Sequence, residues 1–439
     1  MKKVIFTDSL EELEADFLLV CDPILQASLD EQLKGAVSYN LKKFPLPMTM
    51  TTNGLHPIAK LVFVDGKEDL LPFIRGDLVA IAIDDVCVEK LAFDLVKKNP
   101  DTKTLVFLCK NPNEIEDRFV KYQYLLEGIN LAKEIISAPA NLMPPSEVAK
   151  KCLDLQKQDV LVEILDCKHL ENIGAHALLS VGKGSSNPPF MVVMQWKGSN
   201  DLPIALVGKG ICFDSGGINL KNTHLIEMKW DKAGAGAIIG AMDVLSKLKL
   251  PLHVVAIAVL AENMPDGNAL KPGDVISSLG GKSIEIVDTD CEGRLALADG
   301  ISYVQKTFTP KVVIDLGTLT LETFGALGNE YAGLFCNDDK LSKELIKAGQ
   351  VTGEKLWALP LGEYYAKKNH SQMADLKNAG GAGYGGGSVA AEFLRAFISP
   401  NLPWAHLDIA GTAWNLDAPE EGVSAFGVGL LVEYFLHQT

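Results

Sequence analysis

The stretch IALVGKGICFDSGGINLK, residues 204–221, indicates how most of the chain folds. Its apolar start, 204–207, is typical of a buried strand and runs directly into a turn rich in glycine and charge. Comparable apolar strands alternate with helical stretches at 235–248 and 387–397. Those strands are predicted at 162–165, 190–196, 254–260, 284–287, 312–316 and 406–409. This order predicts an α/β/α domain with a mixed, mainly parallel sheet, whose ligands lie beyond the carboxyl ends of the strands.

The first part of the chain predicts a second, smaller α/β domain. Short β-rich runs at 4–6, 17–20, 61–64, 78–83 and 104–109 are separated by polar segments with helical character. Residues 117–136 follow with apolar side chains on one helical face, and prolines at 139, 144 and 145 end that helix. We therefore predict an N-terminal α/β domain over 1–116, a linker helix over 117–137 and the larger domain over 138–439.

Composition excludes several classes of protein. The 439 residues hold 41 Lys and Arg against 56 Asp and Glu, and a net charge of −15 repels phosphate backbones. Eight cysteines without a C-x-x-C pair are typical of free thiols in a reducing cytosol. No apolar run reaches the length of a signal peptide or membrane span. These observations predict a cytoplasmic protein that does not bind membranes, and they disfavour binding to nucleic acid.

Three segments carry unusual charge. Lys209, Asp214 and Lys221 lie in the opening stretch, Asp231 follows in MKWDKAGAG, and DTDCEGR holds Asp288, Asp290, Glu292 and Arg294 at alternate positions. In an extended segment, alternate side chains point the same way, so Asp290 and Glu292 are predicted to face one point. Facing carboxylates repel unless protons or a cation lie between them, which predicts a metal site. A solvated loop or an acidic helix N-terminus explains the same spacing, and spacing alone leaves both readings open.

Other motifs point to no further chemistry. The chain has no H-E-x-x-H, P-loop or G-x-S-x-G motif. Residues 381–386, GAGYGG, match G-x-G-x-x-G but follow a polar stretch, whereas a dinucleotide site needs a strand there. Cys291 is predicted to be a buried, inert thiol and His406 a core histidine with a satisfied ring.

Four segments, in order, carry a resemblance to a known family: VGKGICFDSGGINLK, AENMPDGNALKPGDVI, VDTDCEGRLALADG and PWAHLDIAGTAW. They resemble the leucyl aminopeptidase (cytosol aminopeptidase) family of two-metal exopeptidases, over about residues 141–435. The resemblance implies a metal-dependent aminopeptidase that hydrolyses the N-terminal residue from peptides with a free N-terminus. The part before residue 141 shows no motif and is assigned to the family's smaller domain by position alone.

The resemblance also implies roles for individual residues. Two divalent ions, Zn or Mn, would be held by Lys209, Asp214, Asp231, Asp290 and Glu292, with a bridging water between them. Lys221 would polarise the scissile carbonyl and Arg294 would hold a bicarbonate. The substrate pocket would be lined by Met228, Thr318, Leu319 and Leu321. A lysine ligates a metal only as the neutral amine, which burial and adjacent dications favour, and Lys209 is expected in a tight Gly-Lys-Gly turn.

This sequence departs from the family pattern beside the expected pocket. Leu321 and Glu322 stand where the family usually has Gly-Ala, which predicts a narrower or more polar pocket and leaves a preference for leucine open. The family also implies a glycine-rich loop at 378–388 and a homo-hexamer. The alternatives are a dipeptidase for small or thiol-containing dipeptides, a DNA-binding regulatory member, which the net charge disfavours, and an inactive scaffold, which the complete ligand set disfavours.

Overall fold

The structure is a computed structural model that describes two compact units, Met1–Leu126 and Glu127–Thr439. The described residues are 3–7, 17–20, 48–51, 60–63, 78–82, 90, 92–94, 104–108, 112–380, 384–415 and 417–439. The domain bounds drawn above at 116 and 138 stay a prediction. Within the described residues, no helix is both long and apolar enough to cross a membrane.

The first unit contains a six-stranded sheet in the order β1-β6-β5-β2-β4-β3. Its strands are β1 (Lys3–Thr7), β2 (Phe17–Val20), β3 (Met48–Thr51), β4 (Lys60–Phe63), β5 (Leu78–Ala82) and β6 (Thr104–Leu108). All neighbours pair in parallel except β3 with β4. The five predicted strands are confirmed and β3 was missed. Apart from residues 90 and 92–94, the helical segments predicted between them lie outside the described residues.

Helix α1 (Pro112–Ser137) confirms the helix predicted over 117–136 and begins five residues earlier. Phe119 and Ile129, two of the residues predicted on its apolar face, are buried. The helix ends two residues before Pro139, because the residue preceding a proline is disfavoured in the helical conformation.

The second unit is built on a mixed, mainly parallel sheet of eight strands in the order β15-β14-β17-β13-β9-β10-β8-β7, as predicted. Its strands are β7 (Leu161–Leu165), β8 (Phe190–Lys197), β9 (Ile204–Asp214), β10 (His253–Asn263), β13 (Val312–Gly317), β14 (Ala332–Cys336), β15 (Leu356–Ala358) and β17 (Trp404–Asp408). A small separate sheet holds β11 (Val275–Ser277), β12 (Ser283–Glu285) and β16 (Leu376–Lys377). The strand predicted at 284–287 belongs to this small sheet.

Helices cover both faces of the large sheet. They are α2 (Pro145–Leu153), α3 (Cys167–Ile173), α4 (His176–Val181), α5 (Ala233–Lys247), α6 (Gly293–Phe308), α7 (Leu321–Leu327), α8 (Asp339–Thr352), α9 (Glu363–Ala366), α10 (Gly386–Arg395) and α11 (Val428–Leu436). Val207 of β9 packs in one apolar cluster with α6, and its neighbour Gly208 faces α5. Consecutive strand residues point to opposite faces, so these two helices flank β9.

Helix α5 lies unusually close to the sheet. A Cβ atom on Gly234 would lie 2.3 Å from the Leu316 carbonyl oxygen, and one on Gly208 would lie 2.6 Å from the Gly234 carbonyl oxygen. Only glycine permits backbones to approach this closely. At these glycines, the backbone of α5 therefore packs directly on the backbones of strands β9 and β13.

Strand β9 is longer than predicted, and this corrects the placement of Lys209. The strand was expected to end at Val207 and leave Lys209 in a turn, but it continues to Asp214. The reason is that β9 is central: β10 pairs with it in parallel along its length and β13 pairs along its other edge. Backbone pairing on both edges overrides the preference of Gly208 and Gly210 for turns.

Close packing of α1 on α5 generates a stability prediction. A Cβ on Gly128 would lie 2.4 Å from Val244 Cγ2 and 2.6 Å from the Gly240 carbonyl oxygen. We expect Gly128→Ala to lower the free energy of unfolding by about 1–3 kcal/mol, measured by denaturant unfolding. The control is Gly325→Ala in α7, where nothing lies within 4 Å, so added helix propensity should leave stability equal or higher by up to about 1 kcal/mol. Equal destabilisation by both would contradict this packing.

Candidate functional site

A cavity of about 670 Å³ lies beyond the carboxyl ends of the central strands, where ligands of open α/β sheets bind. It brings together nearly all the residues singled out from the sequence. Those lining it are Lys209, Asp214, Lys221, Met228, Asp231, Asp290, Arg294, Thr318, Leu319 and Leu321. Glu292 is buried directly behind this lining, in contact with Lys209.

Three carboxylates converge at the base of the cavity. Asp214, Asp290 and Glu292 each place an oxygen within 4.8 Å of the others. Asp214 ends β9, while Glu292 immediately precedes α6 and adopts helical backbone angles. The predicted convergence is confirmed, but its predicted cause, an extended segment, is wrong. Cys291 N donates to Asp288 O at 3.3 Å, so a turn carries Asp290, and the helix start after Glu292 brings the two side chains together.

Lys209 connects this cluster to Asp231. Its buried Nζ lies 2.8 Å from both Asp231 Oδ1 and the Thr318 carbonyl oxygen and 2.9 Å from Glu292 Oε1. Burial lowers the pKa of Lys209, but the carboxylates of Asp231, Glu292 and Asp214 outweigh it and raise that pKa above its ordinary value. A Cβ on Gly293 would lie 2.4 Å from Lys209 Cε, so the glycine makes room for this side chain.

Lys221 lies on the opposite, more open side of the cluster. Its Nζ is 2.9 Å from Asp214 Oδ2 and 2.5 Å from Asp290 Oδ1. Burial lowers the pKa of Lys221, but Asp214, Glu292 and Asp290 raise it further, so the side chain stays protonated. The loop that carries it turns through Gly216 at φ +87°, where a Cβ would lie 2.9 Å from Asp290 Oδ1.

The donor set fits divalent cations. In the described part of the chain, Asp231 Oδ2, Asp290 Oδ1 and Glu292 Oε1 are buried without a hydrogen bond of good geometry and meet lysines only at ion-pair distance. Burial raises the pKa of all three carboxyl groups, because the charged carboxylate is less stable away from water. Clustered carboxylate oxygens beside a lysine nitrogen are ligands suited to Mn or Zn.

Arg294 and Cys291 lie beside this cluster. Arg294 is in the first turn of α6, and its Nε is buried without a hydrogen-bond partner among the described residues. Cys291 was predicted to be buried, but it is half-buried and lines the cavity. Burial raises the pKa of its thiol to about 11, so the prediction that it is unreactive as a thiolate agrees with its surroundings.

A buried aspartate that sequence reasoning missed positions the cavity wall. Thr318 Oγ1 donates to Asp231 Oδ1 at 2.6 Å, which places this wall against the cluster. Asp408, only 1% exposed at the end of β17, accepts from Leu319 N at 3.1 Å and from Thr320 Oγ1 at 2.6 Å. Its location at the carboxyl end of a predicted strand was the signal that could have identified it.

Asparagine side chains join the loop that follows Asp214 to the turn that carries Asp290, and the sequence did not single them out. Asn219 N donates to Thr289 Oγ1 at 2.9 Å, and Thr289 N donates back to Asn219 Oδ1 at 3.1 Å. Asn263 Nδ2 donates to Asp214 Oδ1 at 2.8 Å and to Thr289 O at 3.0 Å. These bonds fix Asp214 relative to the turn that carries Asp290.

The glycine-rich loop predicted at 378–388 borders the same cavity. Buried Asn378 accepts from Val287 N at 2.8 Å and donates to Asp288 O at 2.6 Å, which anchors the start of the loop. Gly380, Tyr384 and other described loop residues line the cavity, and residues 381–383 lie outside the described residues. The strand that precedes the G-x-G-x-x-G match is β16, which is two residues long and lies outside the large sheet. The match therefore lacks the strand of the large sheet that a dinucleotide site needs.

His406 lies in the core, as predicted, on β17. Its Nδ1 is 2.5 Å from Asp315 Oδ1, and Trp404 Nε1 donates to Asp315 Oδ2 at 2.7 Å. The prediction of a fully satisfied ring is wrong in one respect, because His406 Nε2 has no partner within the described residues.

Comparisons with known proteins agree with this geometry. A family model described as "Cytosol aminopeptidase family, catalytic domain" matches residues 130–432. A probable cytosol aminopeptidase of Sinorhizobium fredii is 47% identical over 323 residues, covering 72% of this chain and 64% of that protein. One from Bradyrhizobium sp. is 48% identical over 321 residues (71% and 64%), and one from Phytoplasma mali is 43% identical over 342 residues (76% and 68%).

The match therefore spans 64% of the length of the first two of these relatives. The family model spans every charged side chain described above at the base of the cavity, from Lys209 to Arg294, and the wall from Thr318 to Asp408. With a family model that covers most of its length and relatives this similar, the chain belongs to the cytosol aminopeptidase family.

Proposed function

We propose that the chain is a metal-dependent aminopeptidase that removes the N-terminal residue from peptides. The observation that carries the proposal is the convergence of Asp214, Asp290 and Glu292 within 4.8 Å, beside Lys209 and Asp231, at the base of a cavity. The names of the relatives, probable cytosol aminopeptidases, support the same reaction.

The metal ions would be held by the donor set described above: Lys209, Asp214, Asp231, Asp290 and Glu292. When bound, two divalent ions supply an activated water and polarise the substrate carbonyl. Lys209 can join this set only after losing its proton. The carboxylates that now raise its pKa would be neutralised by the cations they bind, and burial would then favour the neutral amine.

Lys221 and Arg294 would act on the substrate side. Lys221 is protonated, lies at the more open edge of the cluster and can donate to the scissile carbonyl oxygen as negative charge develops there. Arg294 has a buried Nε without a partner in the described chain, a donor suited to an anion such as bicarbonate. An anion held there would accept a proton and pass it toward the leaving amine.

The substrate's first residue would bind between the carboxylate cluster at the bottom of the cavity and the cavity wall. Its free α-amine is attracted to the carboxylate cluster, which gives an exopeptidase its preference for an N-terminus. Met228, Thr318, Leu319 and Leu321 line the adjoining wall and would contact the first side chain. The cytoplasmic location and the hexamer expected from the family resemblance stay predictions.

Metal dependence gives the first test of this function. We expect chelator-treated protein to lose cleavage of leucine p-nitroanilide and regain it with Mn²⁺ or Zn²⁺, because the donor set needs cations to balance its charge. N-acetyl-leucine p-nitroanilide, which lacks the free amine, should not be cleaved. Cleavage of both substrates would contradict the exopeptidase assignment. A panel of dipeptides and longer peptides would separate the dipeptidase alternative.

Glu292→Gln tests the buried ligand. The substitution keeps the shape but removes a charge from the cluster, so we expect turnover to fall by about a hundredfold or more with little change in the melting temperature. Glu171→Gln on the surface of α3 removes the same charge far from the cavity and should leave turnover unchanged. Full turnover by Glu292→Gln with two metals bound would overturn the assignment.

Asp408→Asn tests whether Asp408 positions the segment of the cavity wall that begins at Thr318. The amide cannot accept all the bonds that Asp408 now accepts, so Thr318 should shift against Asp231 and Lys209. We expect Mn²⁺ affinity, measured by calorimetry, to fall about 10–100-fold. Exposed Asp417→Asn is the matched control. Unchanged affinity in Asp408→Asn would show that the wall does not position the ligands.

A further inference from the structure

Two residues that line the cavity have no role, or only a minor one, in the proposed reaction. Leu321 and Glu322 open helix α7, and both line the cavity. Leu321 is 71% exposed, unusually high for a leucine. Thr320, the residue before them, fixes the start of α7. Its hydroxyl accepts a hydrogen bond from Thr323 N and donates one to Asp408.

The carboxylate of Glu322 lies between two helix N-termini. It is in the first turn of α7, and a Cβ on Gly386, the first residue of α10, would lie 2.5 Å from Glu322 Cδ and 2.7 Å from its Oε1. Among the residues that the structure describes, Glu322 has neither an ion pair nor a side-chain hydrogen bond.

No described cation that lines the cavity forms an ion pair with Glu322. These cations are Lys209, Lys221, Arg294 and Lys368. The first two contact the acidic cluster, and Lys368 Nζ donates to the Tyr384 carbonyl oxygen at 3.0 Å. Within the described ranges of the chain, this side of the cavity therefore presents a carboxylate without a direct ion-pair partner.

The position of this charge relative to a substrate follows from the proposed function, on which the inference rests. The amine and carbonyl of the first residue would lie at the cluster, next to Thr318, whose hydroxyl contacts Asp231. Leu321 and Glu322 follow Thr318 closely along the chain and line the same cavity. A side chain that extends from the cluster along these residues would contact an apolar surface and a carboxylate. Lysine and arginine have the matching form, an apolar stem and a cationic head.

We propose that Leu321 and Glu322 select peptides whose first residue is lysine or arginine. Leu321 packs against the methylene stem, and Glu322 pairs with the ammonium or guanidinium group. Lysine and norleucine provide the sharpest comparison, since norleucine is lysine without its terminal ammonium. A difference between them isolates the contribution of the charge.

The experiment compares lysine and norleucine p-nitroanilides with Mn²⁺-loaded protein. We expect the wild type to favour lysine and Glu322→Gln to lower the lysine-to-norleucine ratio of kcat/KM about fivefold, mainly through KM for lysine. Salt should lower the ratio in the wild type but not in Glu322→Gln. Leu321→Ala should weaken both substrates and keep the ratio, and the surface control Glu171→Gln should leave both unchanged.

Calorimetry with L-lysine and L-norleucine adds a readout that needs no turnover. We expect Glu322→Gln to weaken only lysine binding, again about fivefold. An unchanged ratio, or equal losses for both substrates, would overturn the selection while leaving the aminopeptidase proposal intact. Glu322-dependent lysine binding without any cleavage would support the selection and overturn the proposed reaction. Neither binding nor cleavage of either compound would overturn both.

Discussion

The mutual repulsion of Asp214, Asp290 and Glu292 is the constraint on which the site depends. Three carboxylates held within 4.8 Å and mostly out of water are stable only with positive charge among them. Lys209 and Lys221 supply part of that charge from opposite sides, one buried and one at the open edge. This division gives the two lysines different chemistry, because the buried amine can lose its proton beside cations and the outer one keeps it.

The scaffold holds these charges together through neutral and backbone groups. Asn219 and Thr289 bond reciprocally across the loops that follow β9 and β12, and Asp408 fixes the wall that touches Asp231 and Lys209. The carboxyl edge of the large sheet provides Asp214 and Asp408, whereas Asp290 and Glu292 come from the turn before α6. The charges and the bonds that orient them thus come from separate segments that meet at this edge.

The strands, and the charged side chains that converge in the cavity, were predicted from the sequence better than the local backbone geometry was. Apolar runs located most strands, because a strand that is buried on both faces is a nearly continuous run of apolar residues. Lys209 was wrongly predicted to lie in a turn. Pairing with β10 and β13 extends β9, and this pairing cannot be predicted from the sequence of β9 alone. The extended form expected for Asp290 and Glu292 failed because α6 begins directly after Glu292. Asp408 and Asn219 were missed since their roles depend on contacts between distant segments.

The close approach of α5 to the sheet has a consequence for how ions would come and go. With Gly234 against the Leu316 carbonyl oxygen, and Gly293 against Lys209, the described rear of the site is closely packed at both points. Metal ions would therefore exchange more readily through the mouth that also admits the peptide. A bound peptide would then slow this exchange, so an enzyme occupied by substrate would retain its ions longer than an idle one.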